Sequence, residues 1–184
     1  MKDSLAPLLA GLGSFLALVI TAGHVLILAA LTGVVSSPQA ALGPGHVRCN
    51  FLEQSAVHYH VAVRLHFEEQ TRAVPARTGI KPACLYWVHT HDRSGIVHIE
   101  APAEHGKDVF HLADLFAISR APLDSTQVGN HLLTPDEKLT VYVEGERWNG
   151  EPGEVPFVEH QTIDVVVSRS ADFVYESFEW PEDF

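Results

Sequence analysis

The stretch CLYWVHTHDRSGIVHIEAP, residues 84–102, sets His89, His91, His98, Asp92 and Glu100 into two apolar segments around a tight turn. LYWVHTH and GIVHIE read as the arms of a β-hairpin joined through DRSG, with Asp first and Gly last as type I turn chemistry prefers. Side chains two apart on a strand share a face at a spacing of about 7 Å, so His89 and His91 present two imidazoles on the side that also carries Trp87. The turn decides where His98 falls. A two-residue loop at Arg93 and Ser94 pairs His89 with His98 and gathers His89, His91, His98 and Glu100 on one face. A three-residue loop with Gly95 in a left-handed bulge, which D-x-S-G chemistry favours, pairs Thr90 with His98 and sends it to the other face.

A second H-x-H lies upstream. In VHYHVAVRLHF, residues 57–67, Val57, Tyr59, Val61, Val63, Leu65 and Phe67 fall on one side and His58, His60, Ala62, Arg64 and His66 on the other. Period two with one apolar face is a half-buried strand. His58 and His60 therefore stand where packing alone gives no reason for imidazoles. Two such pairs converging supply the borderline donors that zinc or copper takes, so the expected metal ligands are His58, His60, His89 and His91, with His98 joining in the first register. The competing reading is that strand histidines are surface or hydrogen-bonded residues, and twelve of them in 184 residues produce close pairs by chance.

The remaining segments extend the pattern. EEQ turns the chain into TRAVPA, a short strand stopped by Pro75. Residues 108–119, DVFHLADLFAIS, place Val109, Leu112, Ala113, Leu115 and Phe116 at helical spacing behind Asp108 as N-cap. KLTVYV, ERW and QTIDVVVS read as further strands punctuated by EGE and NGEPGE. The expected fold class is α+β: an N-terminal transmembrane helix, then a β-rich domain of antiparallel hairpins with one short helix. The acidic, aromatic tail holding Phe173, Tyr175, Phe178, Trp180 and Phe184 reads as a frayed terminus or as a segment that docks on a partner.

From residue 5 to residue 35 the chain runs for 31 residues without a formal charge, and about 20 suffice for a helix to cross a bilayer. The expected organisation is a transmembrane anchor at 1–35, a Ser, Pro and Gly-containing linker at 36–46, a domain at 47–169 and the tail at 170–184. Lys2 ahead of the span orients the domain outside the cell membrane, periplasmic or cell-surface. An oxidising compartment agrees with a Cys49 to Cys84 disulfide, a thiolate metal ligand being the other use of that pair. His24, inside the apolar run, is a candidate cofactor ligand or a hydrogen-bonding group toward a neighbouring helix. Ala10 with Ser14 and Gly13 with Ala17 have the small-residue spacing of packed membrane helices, which points to the membrane helices of a complex as partners.

A net charge of −11, from 23 acidic and 12 basic residues, leaves no basic stripe, which excludes nucleic acid as a partner. No nucleophile elbow and no phosphate-binding glycine loop is present, and the glutamate that a cupin-like site needs after H-x-H is missing, because Gly95 and Ile96 stand there. The run from HYHVAVRLHF through VPARTGI to YWVHTHDRSGIVHIEAP and FHLADLFAI resembles an uncharacterised group of bacterial membrane-anchored or secreted proteins with a Y-W-L-H-T-H-D-x-S-G-I-I-H-I-E-x-P block. The resemblance covers Cys49 to about Ser119 and implies a small extracytoplasmic domain. Ala113 and Ile118-Ser119 depart from its pattern, where Gly and an aromatic-Gly pair are usual. The sequence thus points to a non-enzymatic, membrane-anchored domain binding a transition metal, with an accessory subunit of a membrane complex as the alternative.

Overall fold

In a computed structural model, residues 47–170, 172–182 and 184 are described, all within the unit Ala40–Phe184. Its strands, in chain order, are β1 (Cys49–Asn50), β2 (Val57–Phe67), β3 (Gln70–Ala73), β4 (Ile80–Lys81), β5 (Cys84–Tyr86), β6 (Val88–His89) and β7 (Ile96–Ala101). One helix, α1 (Leu112–Ile118), precedes β8 (Leu123–Asp124), β9 (Gln127–Val128), β10 (His131–Leu132), β11 (Lys138–Val143), β12 (Glu146–Arg147) and β13 (Gln161–Ser168). The main sheet runs β12-β11-β13-β2-β7-β6, with β3 also paired to β2. Two small three-stranded sheets have the orders β1-β5-β4 and β10-β9-β8.

Strand β2 is the spine. β7 pairs with its first half from Val57 to Ala62, and β3 takes over the same edge from Arg64 to Phe67. On its other edge β13 runs parallel to it, from Gln161 opposite Val61 to Val167 opposite Phe67. The two faces separate as the period-two pattern requires. Val61, Val63, Val97, Ile99, Ile163, Val165 and Val167 join Leu112, Leu115, Phe116, Phe110 and Phe157 in the core. The opposite face carries His58, His60, Arg64 and His66 of β2 beside His98 and Glu100 of β7 and Asp164 of β13.

The α+β expectation is corrected to a mostly β fold, in which α1 is only seven residues long. No helix among the described residues is long and apolar enough to cross a membrane, so the expected N-terminal transmembrane helix is not shown. Residues 5–35 and His24 lie outside the described residues. The sheet is also not purely a set of antiparallel hairpins, because β2 and β13 are parallel neighbours some 100 residues apart. The helix begins later than Asp108: its N-cap is His111, whose backbone N–H donates to Asp114 Oδ2 (2.8 Å), so Val109 stays outside it and exposed. LYWVHTH is not one strand. It breaks at Trp87, where the chain leaves the β1-β5-β4 sheet for the main one, and the Trp87 indole donates to Asn50 Oδ1 (2.6 Å) instead of lining the histidine face.

Two covalent or ionic ties hold this arrangement. Cys49 and Cys84 form a disulfide that closes a 35-residue loop holding β2, β3 and β4. Asp164, fully buried on β13, sits opposite Arg64 in the parallel register and accepts from Arg64 Nε (2.7 Å) and from a second guanidinium nitrogen (2.9 Å). His66 Nε2 lies 2.7 Å from the same carboxylate. Burial would raise the Asp164 carboxyl, but its bonds from His66 and Arg64 outweigh that and hold it below the usual carboxylate range.

Reduction of the disulfide is expected to lower unfolding free energy by about 3–4 kcal/mol through the freed loop entropy. Denaturant titrations with and without reductant check this, and coincident midpoints count against it. Asp164→Asn leaves a guanidinium without its buried counterion and is expected to cost about 3 kcal/mol or more. An unchanged urea midpoint in that variant contradicts the role assigned to the pair.

Candidate metal centre

The histidine face is built by register. β7 lies between β2 and β6, so His60 pairs with His98 and His98 with His89, forming one row across three strands. His58 pairs with Glu100 in the next row. The hairpin adopts the register of the two-residue loop, not of the bulge. Asp92 Oδ1 accepts from both the backbone N–H and the hydroxyl of Ser94, whose Oγ in turn accepts from Ile96 N–H, which closes the turn locally. Gly95 does take a left-handed φ of 91°, as the D-x-S-G pattern suggests. It does so under the edge of β2, where its carbonyl accepts from Val63 N–H (2.8 Å) and a Cβ would lie 3.1 Å from the Val63 oxygen. Tertiary pairing with β2 thus selects the register.

All five expected metal ligands meet there. His58 Nε2 and His60 Nε2 are 3.1 Å apart, and His60 Nε2 is 3.2 Å from His98 Nδ1. Glu100 Oε1 lies 3.3 Å from His58 Nε2 and 3.4 Å from His98 Nδ1. On the far side His89 Nε2 and His91 Nε2 are 3.2 Å apart, and the His91 and His98 rings meet edge to face at 4.4 Å. Two overlapping donor sets result, His58/His60/His98 and His89/His91/His98/Glu100, each with its ligand atoms within 4.8 Å of one another. A His/Glu cluster able to hold a metal ion is therefore present.

Two supports orient the donors. His89 is wholly buried, and its Nδ1–H donates to the Tyr86 carbonyl oxygen (2.9 Å). A carbonyl only accepts, so Nδ1 carries the proton and Nε2 presents its lone pair to the cluster, as a metal-ligating imidazole requires. Behind it, Gly79 at a φ of 80° approaches so closely that a Cβ would sit 2.7 Å from the Val88 oxygen and 3.0 Å from His89 Cβ. Thr90 N–H donates to the Thr78 carbonyl and Thr90 Oγ1 to the Pro75 carbonyl, locking the VPARTGI segment against this hairpin.

Electrostatics favour neutral imidazoles at His60 and His89 and an ionised carboxylate at Glu100. Burial first, then the neighbouring His98 and His58, push the His60 imidazole down to about 4. Burial likewise lowers His89, outweighing the opposing charge of Glu100 and the Tyr86 bond. For Glu100, burial raises the carboxyl, but the hydrogen bond with His98 and the charges of His89 and His58 prevail and hold it low.

The tail packs back on the domain. Phe173 stacks on Tyr142 (4.6 Å), Tyr175 donates to Glu144 Oε2 (3.0 Å), and Arg64 donates to the Glu176 carbonyl (2.7 Å). It ends with the Phe184 ring against His60 (4.6 Å) and His98 (5.7 Å). Three contributors were absent from the ligand set expected from sequence: Glu100, Gly79 and Phe184. Only Glu100 had a signal there, the H-x-E spacing of His98 and Glu100 on one strand face. No family model, curated protein or solved structure matches this chain.

The lowered histidines have a consequence for the metal-free protein. They take up protons near 6.5 when unfolded and only near 4 when folded, so between those values unfolding binds protons and acid favours the unfolded state. With a chelator present, the thermal midpoint is expected to fall steadily as pH drops from about 7 to about 4. A flat profile over that window contradicts the assigned burial of His60 and His89.

Proposed function

We propose that this domain binds a divalent transition metal, zinc or copper, through His58, His60, His89, His91, His98 and Glu100, as a binding module rather than an enzyme. The observation that carries the reading is the set of donor separations. Metal to nitrogen bonds of about 2.0–2.1 Å around a tetrahedral ion place donors about 3.4 Å apart, and the neighbouring donors of the cluster lie 3.1–3.4 Å apart.

Hydrogen bonding alone accounts poorly for them. His60 Nε2 has two imidazole nitrogens in reach, yet one ring nitrogen carries either one proton or one lone pair. His58 and His98, by facing Glu100 Oε1, both call for protons on the nitrogens that face His60, which leaves its single lone pair with two donors. An ion held by all of those lone pairs removes the conflict. Imidazoles with one carboxylate suit zinc and copper(II).

Binding rather than turnover is supported by Phe184, whose ring packs against His60 and His98 and covers part of the cluster. An extracytoplasmic setting is supported by the Cys49 to Cys84 bond, since disulfides persist in oxidising compartments.

Calorimetric titration of zinc and of copper(II) into the full chain is expected to give tight, saturable binding. The quadruple variant with His58, His60, His89 and His91 all changed to Ala is expected to weaken it by more than about 100-fold. Equal, weak heats from the two proteins would sink the metal reading.

A further inference from the structure

Resting on that reading, we infer that the site holds two ions, not one, with His98 and Glu100 shared between them. The six residues carry more donors than one tetrahedral ion accepts. They also fall into two sets, and the pairs unique to each come from opposite sides of β7. His58 and His60 of β2 belong to one; His89 and His91, on β6 and the loop that follows it, belong to the other. His98, on the strand between, belongs to both.

An imidazole has two ring nitrogens, and when both are deprotonated each can hold an ion. His98 Nδ1 faces His60 Nε2 and Glu100 Oε1, which assigns that nitrogen to the β2 side and leaves Nε2 for the other ion. Bridging in this way releases the ring proton to solvent, so loading the second ion is accompanied by proton release.

Glu100 supplies the independent observation. It is only 5% exposed, and while Oε1 faces His58 and His98, its Oε2 is buried with no hydrogen-bond partner among the described residues. A buried carboxylate oxygen left unpaired is costly and rare in a finished site. Coordination of a second ion by Oε2 satisfies it, and Glu100 belongs to the His89/His91 set. The arrangement is then Glu100 Oε1, His98 Nδ1, His58 and His60 around one ion, and Glu100 Oε2, His98 Nε2, His89 and His91 around the other.

Metal content settles this. Untagged full-length protein is stripped with chelator, equilibrated with zinc or copper(II), freed of unbound ion by ultrafiltration and analysed by plasma mass spectrometry. Two ions per chain are expected, falling to one in each of H58A/H60A and H89A/H91A and to one in Glu100→Gln. Copper-loaded wild type is expected to show fewer than two spins per chain by integrated electron paramagnetic resonance, because ions bridged through an imidazolate couple. The double variants, with single ions, are expected to show one full spin.

One ion per chain in the wild type overturns the inference and leaves the metal reading standing. So does loss of all metal in either double variant whose circular dichroism is native, which means that both pairs serve one ion. Two ions retained in the double variants also overturns it by placing them elsewhere on the chain. No metal in the wild type overturns both readings.

Discussion

Everything distinctive in this molecule depends on how strand β2 is held on both edges. Its alternation puts valines in the core and histidines and Arg64 on the other face, and a slip of one residue would exchange them. The antiparallel pairing with β7 brings His60 opposite His98 and His58 opposite Glu100. The parallel pairing with β13 brings Arg64 opposite Asp164. The same strand therefore aligns a donor cluster at one end and a buried ion pair at the other, and neither can shift register without breaking its counterpart.

The two polar groups differ in how their charge is settled. Asp164 is satisfied from within by Arg64 and His66, so it serves to fasten β13 to β2 and, through Arg64, to fasten the tail. The histidine cluster is not internally satisfied: its nitrogens face one another, and Glu100 keeps an oxygen without a partner among the described residues. Donor atoms that face one another in a half-buried setting are a poor design for stability and a good one for holding cations.

Much of this was legible in the sequence. The alternation of VHYHVAVRLHF identified β2 and its two faces, KLTVYV and QTIDVVVS marked β11 and β13, and the two cysteines indicated their bond. The five histidines were legible as a group because H-x-H on a strand leaves little freedom in where the rings point. What failed was non-local. The parallel partnership of β2 and β13 has no signature in either strand alone, and Asp164 reads as a blemish in an apolar run until Arg64 is placed opposite it. Glu100 stayed outside the expected ligands because H-x-E alone is only a fragment of a metal-ligand motif, and local turn chemistry at Asp92 to Gly95 favoured a bulge, whereas the edge of β2 imposed the register that brings His98 and Glu100 to the cluster. The helix start was misplaced for a related reason: Asp108 resembles a cap, but the capping carboxylate is Asp114, acting backward on His111.

The parallel neighbour of β2 bears on the order of events in folding. β2 can pair with β3 and β7 as soon as the first hundred residues exist, but its other edge waits for residues 161–168, and the tail follows those. Closing so long a loop before it is repaid by contacts makes such a sheet slow compared with one made only of hairpins. On a ribosome adding about 5–20 residues per second, the H-x-H strand and its hairpin are therefore made seconds before β13 can join them. For that interval the donor face is an open surface, and the partner that first meets it is whatever the compartment of synthesis supplies.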